Sequence, residues 1–152
     1  MKLRRPRRPQ QFRLADSAQQ IVGGILLAGP FVVTAEVWEL AASMNVWQAL
    51  GTVIVVFGIG YGALYTADTT RDVEDEQDVA GVPLRFISLM IVSFGSVALL
   101  ALLLDAPDVF AGQFTESPRD ALETTFKAVS VGSVFSVVGA ATADSIFSKQ
   151  NG

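Results

Sequence analysis

Four stretches of apolar residues dominate the chain, each close to or above the about 20 residues that a helix needs to cross a bilayer. They run from Ile21 to about Leu40, from Val46 to Thr66, from Leu84 to Leu104 and from about Leu122 to Phe147. Inside hydrocarbon every backbone amide must be satisfied within its own segment or in a closed barrel. Runs of this length exclude barrel strands, so the expectation is an all-α four-helix transmembrane bundle over residues 17–148, preceded by a basic arm over residues 1–16. Composition agrees: 51% of the 152 residues are hydrophobic and the mean hydropathy is +0.44. The chain has no Cys and no His, which removes disulfides, thiolate metal sites and imidazole chemistry. No cofactor and no metal site are expected, and no nucleophile or phosphate loop suggests an enzyme.

The cations set the expected orientation. Lys2, Arg4, Arg5, Arg7, Arg8, Arg13, Arg71, Arg85 and Lys149 fall on one side of the four-span arrangement, and Arg119 and Lys127 on the other. The positive-inside bias then places both termini in the cytoplasm of a multi-pass plasma-membrane protein. Trp38 and Trp47 flank the first helix hairpin, where interfacial anchors belong. The charged start RRPRRP also suits a signal peptide, but the apolar run behind it is long and holds two Glu, so an uncleaved first span is expected. The same arm could touch anionic headgroups, and nothing in it requires nucleic acid. An acidic balance, 15 Asp and Glu against 11 Lys and Arg with only three Lys, suits a halophile's hydrated surface.

TAEVWE, Thr34 to Glu39, places two carboxylates at the end of the first apolar run. On a straight helix from Ile21, Glu36 lies about 22 Å and Glu39 about 27 Å into a core about 30 Å thick. Lys127, about 7 Å in from the other face, is at the depth of Glu36. Charges at such depth need partners or water. The expected cluster is therefore Glu36, Glu39 and Lys127, with Glu123 competing for the lysine from one turn away. At the inner ends, Arg85 and Asp144 are at similar depth and are expected to form an interfacial ion pair.

Small residues point to close helix contacts. Gly132, Ser136, Gly139 and Ala140 share a face of the fourth span, which should be central or an oligomer contact. Gly58 and Gly62 form a GxxxG within GIGYG; the segment looks like a potassium-channel filter but lies in an uninterrupted span, so close packing is the expectation. The third span, bulky at Leu89, Met90, Ile91 and Leu99, is expected to face lipid. DTTRDVEDEQD, residues 68–78, lacks calcium-loop spacing and reads as a solvated acidic loop.

GGILLAGPFVVTAEVW, with Gly23, Gly24, Gly29, Pro30, Thr34, Glu36 and Trp38, resembles the first-helix motif of an uncharacterised family of integral membrane proteins of bacteria and haloarchaea. GAATADS, Gly139 to Ser145, is similar to that family's last-helix ending, where Asp144 replaces an expected Arg. The resemblance implies a multi-span membrane protein and no particular activity. Two functions fit the residues: a small ion or proton channel or transporter lined by the carboxylate and lysine cluster, with Pro30 breaking the first helix, or a structural or accessory protein whose charges only staple helices together.

Overall fold

A computed structural model describes residues 12–66, 78–114 and 116–150, the side chains of residues 114 and 148–150 excepted. Residues 1–11 of the basic arm and nearly all of the acidic loop lie outside the described residues, and the arm's last residues, from Leu14, already belong to the first helix. Helix α1 spans Leu14–Val32, α2 Ala35–Ser43, α3 Val46–Tyr61, α4 Leu84–Leu103, α5 Gly112–Phe114 and α6 Pro118–Gln150. A π-helical turn, Gly62–Thr66, extends α3, and a second, Pro107–Ala111, precedes α5. Strands β1 (Asp78–Val79) and β2 (Val82–Pro83) make a short antiparallel hairpin that leads into α4. Its two central residues, Ala80 and Gly81, have positive φ, as a type I′ turn requires.

Local chemistry fixes the helix ends. α1 starts at Leu14, where the Asp16 carboxylate accepts the Arg13 amide at 2.9 Å and favours the first turn. Asn45 caps α3 by a reciprocal pair: it accepts from the Gln48 amide at 2.9 Å, while the Gln48 side chain accepts from the Asn45 amide at 2.8 Å.

The first span is not one helix. Pro30 is tolerated inside α1, and the break comes at Val33 and Thr34, after which α2 is bent by 81° from α1. Thr34 turns its amide and its hydroxyl to the Phe31 carbonyl, at 3.1 and 2.8 Å. Trp38 donates its indole N–H to the Val32 carbonyl at 2.9 Å. These bonds satisfy carbonyls that the interrupted helix leaves open. Three continuous helical segments, Val46–Thr66, Leu84–Leu103 and Pro118–Phe147, are long and apolar enough to cross a membrane, and the bent α1–α2 pair is the fourth candidate.

α6 is the axis of the bundle and contacts α1, α2, α3 and α4. Antiparallel α1 meets it through glycine: a Cβ added at Gly23 would stand 2.3 Å from the Gly139 carbonyl oxygen, and one at Gly139 would stand 2.2 Å from that of Gly23. Such backbone contact suits membrane helices, where packing replaces the hydrophobic drive. Near the α2 end, Ala28, Val32, Trp38, Val97, Ala101 and Ala128 form one apolar cluster. Val56, Leu64, Leu89, Met90, Val137 and Ala140 form another beneath α3. Leu89 and Met90 are thus buried, not lipid-facing, because α4 presents one face to α6 and only its other face, Ile91, Leu99, Leu102 and Leu103, stays exposed.

Candidate functional site: a buried polar seam along α6

The buried stripe of α1 repeats every four residues: Asp16, Gln20, Gly24, Ala28, Val32. That period keeps one helix face against α6. On α4, Arg85, Ser93 and Ser96 turn inward. On α6, Lys127, Ser130, Ser133, Ser136, Ala140 and Asp144 are all buried and recur at three or four residues. Between Lys127 and Asp144 the helix rises by about 25 Å. The two charged residues therefore stand near opposite ends of a serine-rich seam.

At one end a single guanidinium ties three helices. Arg85 Nη1 donates to Asp144 Oδ1 at 2.6 Å, and Nη2 lies 3.5 Å from Asp16 Oδ2. The Arg85 guanidinium carbon also sits 5.4 Å from the centre of the Phe12 ring, within cation–π range. Arg85 is 4% exposed and Asp144 0%, so the expected pair forms inside the bundle and not at its interface. α6 continues past Asp144 to Gln150, so the pair stands short of the helix end. Asp16 is the partner that the sequence reading missed. The Asp16, Gln20, Gly24 spacing was its signal.

Deeper along the seam, Ser88 Oγ lies 2.8 Å from Gln20 Oε1, to which it can donate, and 2.9 Å from Ser17 Oγ. Ser93 Oγ donates to the Leu89 carbonyl at 2.6 Å, Ser133 Oγ to that of Val129 at 2.7 Å and Ser130 Oγ to that of Phe126 at 2.9 Å. Ser133 Oγ is also 3.4 Å from the Ser93 carbonyl. Among the described residues, Gln20 Nε2, Ser96 Oγ and Ser136 Oγ are among the buried polar side-chain atoms that make no hydrogen bond. Ser136 Oγ faces Gly24, where an added Cβ would be 2.7 Å from it.

The other end departs from expectation. Lys127 Nζ pairs with Glu123 Oε1 at 2.6 Å, one turn along the same helix. Glu36 and Glu39 are exposed on α2 and make no ion pair among the described residues. The depth argument failed because it ran a straight helix through Thr34, whereas α2 turns across the end of the bundle, packing on α6 and on the Pro107–Ala111 turn. The turn also reverses the tryptophans. Trp38, expected as an anchor, is 1% exposed and stacks on Phe110 at 5.9 Å, while Trp47 is 81% exposed. TAEVWE therefore restarts a helix: Val37, Trp38 and Ala41 face in and the two carboxylates face out.

Among the packing residues, Gly132, Ser136, Gly139 and Ala140 all lie against neighbouring helices. Gly58 and Gly62 do not: nothing lies within 4 Å of a Cβ added to either. The inward glycine of α3 is Gly60, against Met90 and Val137. The GxxxG spacing was present, but the neighbouring helices lie on the other face of α3. Among the described residues no three carboxylates gather as metal ligands would.

The profile of the family described as "Putative integral membrane protein (DUF2391)" matches residues 4–145. No curated protein and no solved structure matches the chain.

Proposed function

The chain belongs to this family of integral membrane proteins, and on that premise we propose that it passes protons or small cations across the bilayer along the seam between α1, α4 and α6. One observation supports this most: Ser96 and Ser136 bury hydroxyls without a hydrogen bond, on a line between charged residues at both ends of α6. A buried unsatisfied hydroxyl costs about 1–3 kcal/mol, and water bound in the seam would remove that cost. Ionisable residues held inside a membrane mark ion and proton routes more often than they mark packing. The interrupted α1–α2 segment is also the kind of element that transporters use. Glu36, Glu39 and Glu123, exposed at the Lys127 end, would gather cations at the mouth of the route.

In this reading the protein is not an enzyme and sits in the plasma membrane with both termini cytoplasmic. The Lys127 end then faces out, and the basic arm lies against anionic headgroups inside. A cysteine placed at Gln113 should react with an impermeant thiol reagent on intact cells. Labelling only after lysis would reverse the orientation.

The function itself is tested by flux. Purified protein in sealed vesicles should dissipate a proton or monovalent-cation gradient faster than empty vesicles do. A second reading, a structural protein, has its own observation: one arginine joins three helices, and Gly23 meets Gly139 backbone to backbone. Absence of flux for every ion tried would leave that reading in place.

A further inference from the structure

We infer that α2 lies along the membrane surface, in the headgroup layer of the leaflet at the Lys127 end, and that with Trp47 it fixes the depth at which the bundle sits. The inference holds whether or not the seam carries an ion. Its first ground is a pair of rulers. Every exposed residue of α1 is apolar, from Leu14 through Ala18, Val22 and Leu26 to Phe31, while Asp16 and Gln20 turn inward. The 19 residues of α1 rise about 28 Å, against about 30 Å of hydrocarbon. α1 thus crosses the apolar layer by itself, and its end at Val33 marks a boundary of that layer.

α3 gives the same boundary independently. Trp47 is 81% and Tyr61 48% exposed, and the two stand about 21 Å apart along the helix. The large residues exposed between them, Leu50, Ile54, Val55 and Phe57, are all apolar, and Tyr65 adds a second ring 5.2 Å from that of Tyr61. Exposed Trp and Tyr at the two ends of an apolar band are the aromatic belts of a membrane helix. α2 hangs between Val33 and Asn45, so both of its ends meet the membrane at one level. A helix held in this way, and bent by 81° from α1, runs along the surface.

The faces of α2 suit that place. Val37, Trp38 and Ala41 are buried against the bundle, Glu36, Glu39 and Ser43 are exposed, and Leu40 stands half-exposed beside them. A helix with one apolar and one charged face belongs in the interface and not in the hydrocarbon. In the headgroup layer both carboxylates reach water, whereas in the apolar layer each would need a partner. Their making no ion pair among the described residues then carries no penalty.

The chain has two Trp and no Cys, so single-residue probes report one position each. The test places the full chain in phosphatidylcholine vesicles whose acyl chains are brominated either next to the headgroup or near the chain end. In Trp38→Phe, which leaves Trp47, emission should fall most with bromine next to the headgroup. In Trp47→Phe, which leaves the buried Trp38, either lipid should quench little. Glu39→Cys should react with a charged thiol reagent present on both sides of the membrane, and Leu26→Cys, on the exposed face of α1, should not. Stronger quenching of Trp47 by chain-end bromine, or none by either lipid, would overturn the anchor. Strong quenching of Trp38 would detach α2 from the bundle, and a Glu39→Cys as unreactive as Leu26→Cys would place α2 inside the apolar layer. Reaction of Leu26→Cys would remove α1 as a ruler and the inference with it. If a tryptophan variant fails to fold, the two cysteine variants decide.

Discussion

The two ends of α6 each carry a cation beside a carboxylate, yet they hold it differently. At the Asp144 end the pair is between helices: Arg85 comes from α4, Asp144 from α6 and Asp16 from α1, all buried. At the Lys127 end the pair lies within one helix, and its carboxylate, Glu123, keeps 46% of its side chain exposed. Separation in sequence sets the difference. A pair 59 residues apart exists only once its two helices are assembled, whereas an i, i+4 pair exists whenever its helix does. The Asp144 end is thus tied to tertiary structure and the Lys127 end to local structure. On the route proposed above, the second end is the freer to open.

Arg85→Met should have the largest effect. It leaves Asp144 buried without the guanidinium, and breaking a buried pair from one side costs about 3–5 kcal/mol. Lys127→Met leaves Glu123 in reach of water and should cost under about 1 kcal/mol. Thermal melts in detergent would compare them. Equal losses would erase the distinction between the ends.

Glycine gives the next contrast. A Cβ at Gly139 meets the Gly23 backbone, while one at Gly132 meets Val97 and Val32 side chains. Side chains can shift by a few tenths of an ångström more readily than a carbonyl in a helix. Gly139→Ala should therefore cost about 2–3 kcal/mol and Gly132→Ala about 1 kcal/mol. Gly58→Ala, with open space around it, serves as the neutral control. A larger loss at Gly132 would place the tightest helix contact at the Lys127 end.

How much of this was legible in the sequence follows from what each signal depends on. The apolar runs showed the helices, since length and hydropathy are properties of one segment. The small-residue face of α6 was legible because its small residues fall on one face at helical spacing. The Arg85–Asp144 pair could be read from matched depth, because α4 and α6 are straight enough for the count of residues to give height. The same arithmetic misplaced Glu36, since nothing in Pro30 to Thr34 specifies an 81° bend rather than a mild kink. Gly58 and Gly62 were misassigned for a related reason. Spacing shows that two glycines share a face, but only the neighbours decide which face is inside.

Trp38→Phe probes the bend. It keeps a ring against Phe110 and removes the hydrogen bond to the Val32 carbonyl, so about 1 kcal/mol should be lost. An unchanged melting temperature would mean that Thr34 alone holds the break.

The smallest effect belongs to Glu123→Gln. The amide can still accept a hydrogen bond from Lys127, and the carboxylate it replaces is half in solvent, so charge attraction there is screened and partly offset by the entropy of ordering two long side chains. The loss should be the smallest of the set, as for other i, i+4 pairs on exposed helix faces. Lys127 is the test within the test, because its own side chain is 9% exposed and a buried ammonium without a counter-charge is costly. If Glu123→Gln lowers stability by as much as Arg85→Met, the lysine depends on Glu123 as Asp144 depends on Arg85. The Lys127 end would then be a second fixed clamp and not the end that opens.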